Sequence, residues 1–222
     1  MDFVCNFPLL SLLLCMISCV LCTLISPKQA RRMTFGTEIA VLAMSTAVLA
    51  FTLNTGKPFT YVLGEFPAPW GNELRGGALE ALMATAFSAV LICCVLGGQD
   101  YVRIDVDGSK QNLFYTLVNL MTSALMALVW TNDMFTGYVF VEILTLTSCG
   151  VLIVREIGRT TLAAMRYMIL NLLGSGLFLL GVVLLYDITG HLLMENMHLA
   201  ISELAADPAN LSVLSPTLGI LL

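Results

Sequence analysis

Thr131-Asn132-Asp133-Met134-Phe135-Thr136-Gly137-Tyr138-Val139-Phe140-Val141-Glu142-Ile143-Leu144-Thr145 begins as a polar turn and continues as an apolar run with one carboxylic acid inside it. At a helical rise of about 1.5 Å per residue, Glu142 lies on the order of 11 Å past Phe135. That is well inside hydrocarbon if the run spans a membrane. A carboxylate at such depth costs roughly 2.5–3.5 kcal/mol on insertion scales, so it is either neutralised or paired. Two readings follow. In the functional one, Glu142 takes up and releases a proton. In the structural one, it stays protonated and hydrogen-bonds to hydroxyls such as those of Thr145 or Thr147.

The rest of the chain says which solvent surrounds this run. Of 222 residues, 58% are hydrophobic and 11% charged, against about a quarter charged in soluble domains. A soluble core of this length cannot hide so much apolar surface. The expected class is an all-α, polytopic transmembrane helix bundle, with residues 1–222 as a single domain. The net charge of -5 gives no electrostatic support to a nucleic-acid partner. The cysteines at 5, 15, 19, 22, 93, 94 and 149 sit almost entirely in apolar runs, as small hydrophobes and not as a disulfide framework.

Hydropathy places full spans at about 7–25, 38–53, 79–96, 113–130, 135–154 and 162–186. Gly56 to Gly77 reads as a loop rich in Gly, Pro and aromatics, and Gly97 to Gln111 as a polar loop. The few residues between the fourth and fifth spans predict a tight antiparallel hairpin. Met194 to Ala205 mixes Leu199, Ile201 and Leu204 with Glu195, Ser202 and Glu203, which predicts a surface helix or loop, broken by Asp207-Pro208. Residues 211–222 are apolar but span about 18 Å as helix, against about 30 Å of hydrocarbon, so they read as a truncated seventh span. Before the first span stands Asp2 and no basic region; Lys28, Arg31 and Arg32 come after it. That pattern predicts an uncleaved anchor with the N-terminus outside. Arg103, Lys110, Arg155 and Arg159 then join the same side, against Lys57 and Arg75 on the other, a positive-inside bias.

Other ionisable residues are weighed against Glu142. Arg166, one to two turns into the sixth span, either pairs with an acid or snorkels to the interface. Glu80, at the start of the third span, is an interface residue or a member of a relay. Asp133 is expected to cap the fifth span, and Asp187 to close the sixth at the interface. Cys15, Cys19 and Cys22 have the spacing of a radical-type iron–sulfur site and share a helical face, but a lipid-spanning helix offers no loop to wrap a cluster. His191 and His198, with Glu195 between them, read as part of a wetted amphipathic segment, with a metal site as the alternative. No Gly-rich phosphate loop or nucleophile triad is present, and no bound cofactor or metal is expected.

Three pieces, in order and spacing, carry a family resemblance. They are Pro67-Ala68-Pro69-Trp70-Gly71; Trp130 to Glu142 with its Asn-Asp-Met-Phe turn and Phe-Val-Glu-Ile; and Ala164-Met165-Arg166-Tyr167 through Leu179-Leu180-Gly181 to Leu185-Tyr186-Asp187-Ile188-Thr189-Gly190. From about residue 60 to 222 the chain resembles the antiporter-like subunits shared by Mrp-type cation/proton antiporters, respiratory complex I and membrane-bound hydrogenases, and the D-type branch of the Mrp antiporters most. The resemblance implies that Glu142 is the fifth-helix glutamate of the family's proton path; Glu80, Thr145 and Asp133 form a second tier of candidates. It places Arg166 where the family usually has Lys before Tyr. Family members have about fourteen spans in two inverted repeats, and their glutamate works with a lysine on a broken seventh helix. This chain is expected to stop short of that lysine. At Glu80, relatives tend to have a small residue.

The expectation is thus the N-terminal portion of a proton- or cation/proton-translocating subunit, with Glu142 as carrier. Its place would be a bacterial or archaeal cytoplasmic membrane. It would work among other membrane subunits, within an antiporter or as a non-redox part of an ion-translocating oxidoreductase, with H+ or Na+ as coupled ion. The alternative is a structural or vestigial truncated subunit that moves no ion itself.

Overall fold

The computed structural model describes residues 3–63 and 72–206. A 3-10 turn at Phe3–Asn6 leads into α1 (Phe7–Leu24), α2 (Pro27–Thr55), β1 (Phe59–Val62), β2 (Glu73–Gly76), α3 (Ala78–Asp105), α4 (Gln111–Trp130), α5 (Met134–Ile153), α6 (Gly158–Thr189) and α7 (Met194–Ala206). The first six helices are long and apolar enough to cross a membrane, so the chain is an all-α polytopic bundle with a short seventh helix. Pro67 to Gly71, Asp207-Pro208 and residues 211–222 lie outside the described residues.

Helix ends follow local chemistry. Ser26 precedes Pro27 at the start of α2, and Gln29 Oε1 accepts from the Ser26 N–H at 3.3 Å and the Ser26 hydroxyl at 2.9 Å. This satisfies the turn that opens the helix and lets Pro sit where no N–H is needed. The helix ends at Gly56, whose φ of 66° suits a residue without Cβ. α2 therefore starts well before the apolar window at 38, because Lys28, Gln29, Ala30, Arg31 and Arg32 are good helix formers. α3 likewise runs on to Asp105, past the window's end at 96.

α4 is the centre of the bundle. It packs against α1, α2, α3 and α5, and α6 is added on the far side of α5. Between apolar helices in lipid the hydrophobic effect supplies little attraction, so close packing of small residues and interhelical hydrogen bonds must do so. The contact surfaces match that requirement: Ser11, Cys15, Ser18 and Cys22 on α1, Ala30, Thr34 and Ser45 on α2, Ala81 and Ala84 on α3, and Ala124 and Ala127 on α4 are all buried. Trp130 and Met126 are the largest side chains enclosed there. α6, by contrast, leaves Leu170, Leu172, Leu173 and Leu177 open.

The segment 56–77, expected as a loop, contains an antiparallel hairpin with Phe59 opposite Gly76 and Val62 opposite Glu73. The reason is tertiary. Leu74 bridges to Thr131, Asp133 to Leu193, and the Asn132 N–H donates to the Glu73 carbonyl at 2.9 Å. One end of the bundle is thus closed by backbone pairing among three loops. At the other end, Arg155 pairs with Asp105 at 2.9 Å and Lys110 with Glu156. These pairs join the α3–α4 and α5–α6 turns.

Candidate functional site

Asp133 fixes the start of the helix that carries Glu142. Its carboxylate accepts from the Thr136 N–H at 2.6 Å, the capping role read from the sequence, and Asn72 Nδ2 donates to the Thr136 hydroxyl at 3.1 Å. From this anchored end, Glu142 lies about 12 Å along α5 at the helical rise. It is partly buried, and its Oε1 is enclosed with no hydrogen-bond partner among the described residues. The hydroxyls considered as its partners turn elsewhere. Thr145 donates to the Glu142 main-chain carbonyl at 2.9 Å, and Thr147 to the carbonyls of Ile143 and Leu144. Both satisfy the helix backbone and leave the carboxyl to itself.

The other residues named from the sequence are not gathered around Glu142. Arg166 is exposed on α6 and has no ion-pair partner among the described residues. Glu80 stands in the first turn of α3, with Arg75 Nε at 3.8 Å, and Arg75 in turn reaches Glu195 at 3.8 Å. That group belongs to the hairpin-capped end of the bundle.

A second acid, which sequence reasoning passes over, is more deeply enclosed. The apolar window begins at Glu38, which makes it look like a boundary residue. In the helix it lies roughly 16 Å along α2 from Pro27 and is fully buried. The Thr122 hydroxyl is 2.6 Å from Glu38 Oε1 and 3.0 Å from the Val118 carbonyl. Glu38 Oε2 has no partner among the described residues. Next to it, Thr37 donates to Ser18 at 2.9 Å, Ser18 donates to Asn119 Oδ1 at 3.2 Å, and Asn119 Nδ2 donates to Thr34 at 2.7 Å. A signal exists in the sequence: Thr34, Thr37, Glu38, Val41 and Ser45 recur at helical spacing on α2, as do Tyr115, Asn119 and Thr122 on α4.

The arrangement defines a class, a polytopic membrane protein with two acids enclosed among its helices. Residues 131–221, a stretch that includes Asp133, Glu142 and Arg166, match the family described as NADH:quinone oxidoreductase/Mrp antiporter, transmembrane. The chain is 33% identical over 185 residues to NADH-quinone oxidoreductase subunit N of Desulforudis audaxviator, covering 80% of this chain and 35% of that protein. It is 24% identical over 199 residues to the D component of the Na(+)/H(+) antiporter of Bacillus subtilis, covering 89% and 40%. A chain of the Mrp complex from Dietzia sp. DQ12-45-1b shares the fold, with a TM-score of 0.78 at 22% identity, covering 100% of this chain and 41% of that one. The chain is therefore related to the antiporter-like membrane subunits of the Mrp and complex I type, and it spans between a third and a little over two fifths of the length of these relatives.

Proposed function

We propose that the chain is part of a proton- or cation/proton-translocating subunit of a multisubunit membrane complex, in which Glu142 is the intramembrane proton carrier. The observation that supports this most is the Glu142 carboxyl itself. It sits near the middle of a capped helix long and apolar enough to cross a membrane, and its enclosed oxygen is not committed to any side chain of the described residues. A carboxyl tied up by Thr145 or Thr147 would have a structural use; both hydroxyls bond to main-chain carbonyls instead.

The mechanism needs two conditions that alternate. In low dielectric the neutral acid is favoured; a cation brought alongside favours the ionised form and releases the proton. Arg166, on the neighbouring helix α6 and without an ion-pair partner among the described residues, is the candidate on this chain for that cation. Otherwise the cation comes from the remainder of the subunit or from a neighbouring one. Thr145, Glu80 and Asp133 act as supports: Thr145 and Asp133 hold the helix around Glu142, and Glu80 anchors the start of α3. We further place the chain in a cytoplasmic membrane with its N-terminus outside, so that the end carrying Lys28, Arg103, Lys110 and Arg155 faces the cytoplasm, in keeping with the charge bias.

Replacing Glu142 with Gln in the assembled complex should abolish ion flux, followed as collapse of an imposed pH gradient in vesicles, while subunit co-purification stays normal. Flux equal to that of the unaltered complex would reject the carrier role and leave a structural subunit.

A further inference from the structure

We propose that Glu38 is a second proton-binding site, separate from Glu142, exchanging its proton with water in the polar cavity at the basic end of α2.

The argument begins with hydrogen counting. The Thr122 hydroxyl has one proton and two acceptors within reach, Glu38 Oε1 at 2.6 Å and the Val118 carbonyl at 3.0 Å. With Glu38 ionised, only one contact can be served, and the fully buried Oε2 carries charge with no donor facing it among the described residues. With Glu38 protonated, its O–H donates to Thr122 and Thr122 donates to Val118. Both short contacts are then true hydrogen bonds. The geometry is that of a neutral carboxylic acid.

The charged surroundings agree. α1 and α4 carry no Lys, Arg, His, Asp or Glu at all. On α2 the cations Lys28, Arg31 and Arg32 are confined to the first turns. On α3 the charged residues are Glu80 at one end and Asp100, Arg103 and Asp105 at the other. The buried titratable groups on neighbouring elements are thiols and a phenol: Cys15 and Cys22 on α1, Cys5 in the N-terminal turn and Tyr115 on α4. None of these supplies a compensating positive charge.

Access comes from one side. A cavity of about 260 Å³ is lined by Lys28, Arg31, Arg32, Gln99, Arg103 and Tyr115, among others. Its size and lining suit water. Between Tyr115 and Glu38 lies the layer formed by Asn119, Thr34, Ser18 and Thr37, joined by hydrogen bonds of 2.7–3.2 Å; Asn119 also donates to the Tyr115 carbonyl at 2.9 Å. The layer itself is polar, with the buried cluster of Cys22, Ala30 and Tyr115 beside it on the cavity side, so water from the cavity reaches it when one of those side chains swings aside. Binding then takes one proton from water onto the Glu38 carboxylate, and release returns it to water.

The test is infrared spectroscopy of the full chain in the membrane assembly in which it is made, titrated from neutral to alkaline pH. The site predicts a carboxylic-acid C=O band that is absent in Glu38→Gln, shifted in Thr122→Val, retained in Glu142→Gln, and lost reversibly as pH rises. Survival in Glu142→Gln separates this site from the proposed carrier. In D2O the band should shift several-fold more slowly in Asn119→Leu. Identical spectra for Glu38→Gln and the unaltered chain would overturn the proposal. So would a band that persists at every pH up to unfolding, which marks a fixed structural acid. An unchanged deuteration rate in Asn119→Leu would overturn the access route. Should Glu38→Gln not assemble, the Thr122→Val shift alone identifies the band, and its absence would count against the site.

Discussion

At the scale of single residues, the chain places two carboxylic acids within its membrane-spanning helices and treats them differently. Glu38 is fully enclosed and hydrogen-bonded through one oxygen, whereas Glu142 is partly enclosed, with a buried oxygen left unengaged. Glu142 is easy to find in the sequence, because a single acid in an unbroken apolar run stands out. Glu38 is hidden there, because a hydropathy window begins at the last charge before the run and reads that charge as the boundary. The Ser26-Pro27-Lys28-Gln29 start signal is the corrective, since it moves the helix start back and carries Glu38 inward. Asp133 is legible for the opposite reason: a cap is a local device, three residues from the N–H it accepts. Asp133→Ala should remove that bond at a cost of about 1 kcal/mol, seen as faster amide exchange at Thr136 with the rest of α5 unaffected. Exchange at an unaltered rate would show that Asn72 or the strand bridge alone holds the turn.

At the scale of elements, polar residues do what hydrophobicity does in water. α1, α2 and α4 are joined by small side chains and by the Ser18–Asn119–Thr34 and Thr122–Glu38 bonds, whereas α6 rests on α5 with its other face open. The helices are readable from length and composition; their order of packing is not, since every span looks equally greasy until its polar residues find partners on other helices. The hairpin escapes a sequence reading for a related reason. Phe59–Val62 and Glu73–Gly76 are short, and their pairing is stabilised by Thr131 and Asn132, far along the chain. Asn119→Leu should lower stability in lipid or detergent by on the order of 1 kcal/mol, given what interhelical hydrogen bonds contribute in membranes. It should loosen α1 and α2 more than α6. A thermal midpoint equal to that of the unaltered chain would mean that the network does not hold these helices together.

At the scale of the whole molecule, the family resemblance read from the α4–α5 turn and the α6 motif is matched by relatives and by the fold of an Mrp complex chain. It is readable because the family's features lie close together in sequence. A charge partner for Glu142 is not, because such a partner depends on helices packed in space. The bundle supplies a capped helix, an acid in its apolar run and an open apolar flank on α6. The central claim is that the acid in α5 changes protonation state inside the membrane. It is tested most directly by the carbon chemical shift of the Glu142 carboxyl, recorded by solid-state NMR on the assembled complex in bilayers across a pH series. The account predicts a reversible change between the protonated and ionised positions within the range where the complex is intact. A carboxyl resonance fixed in one form at every pH would contradict it.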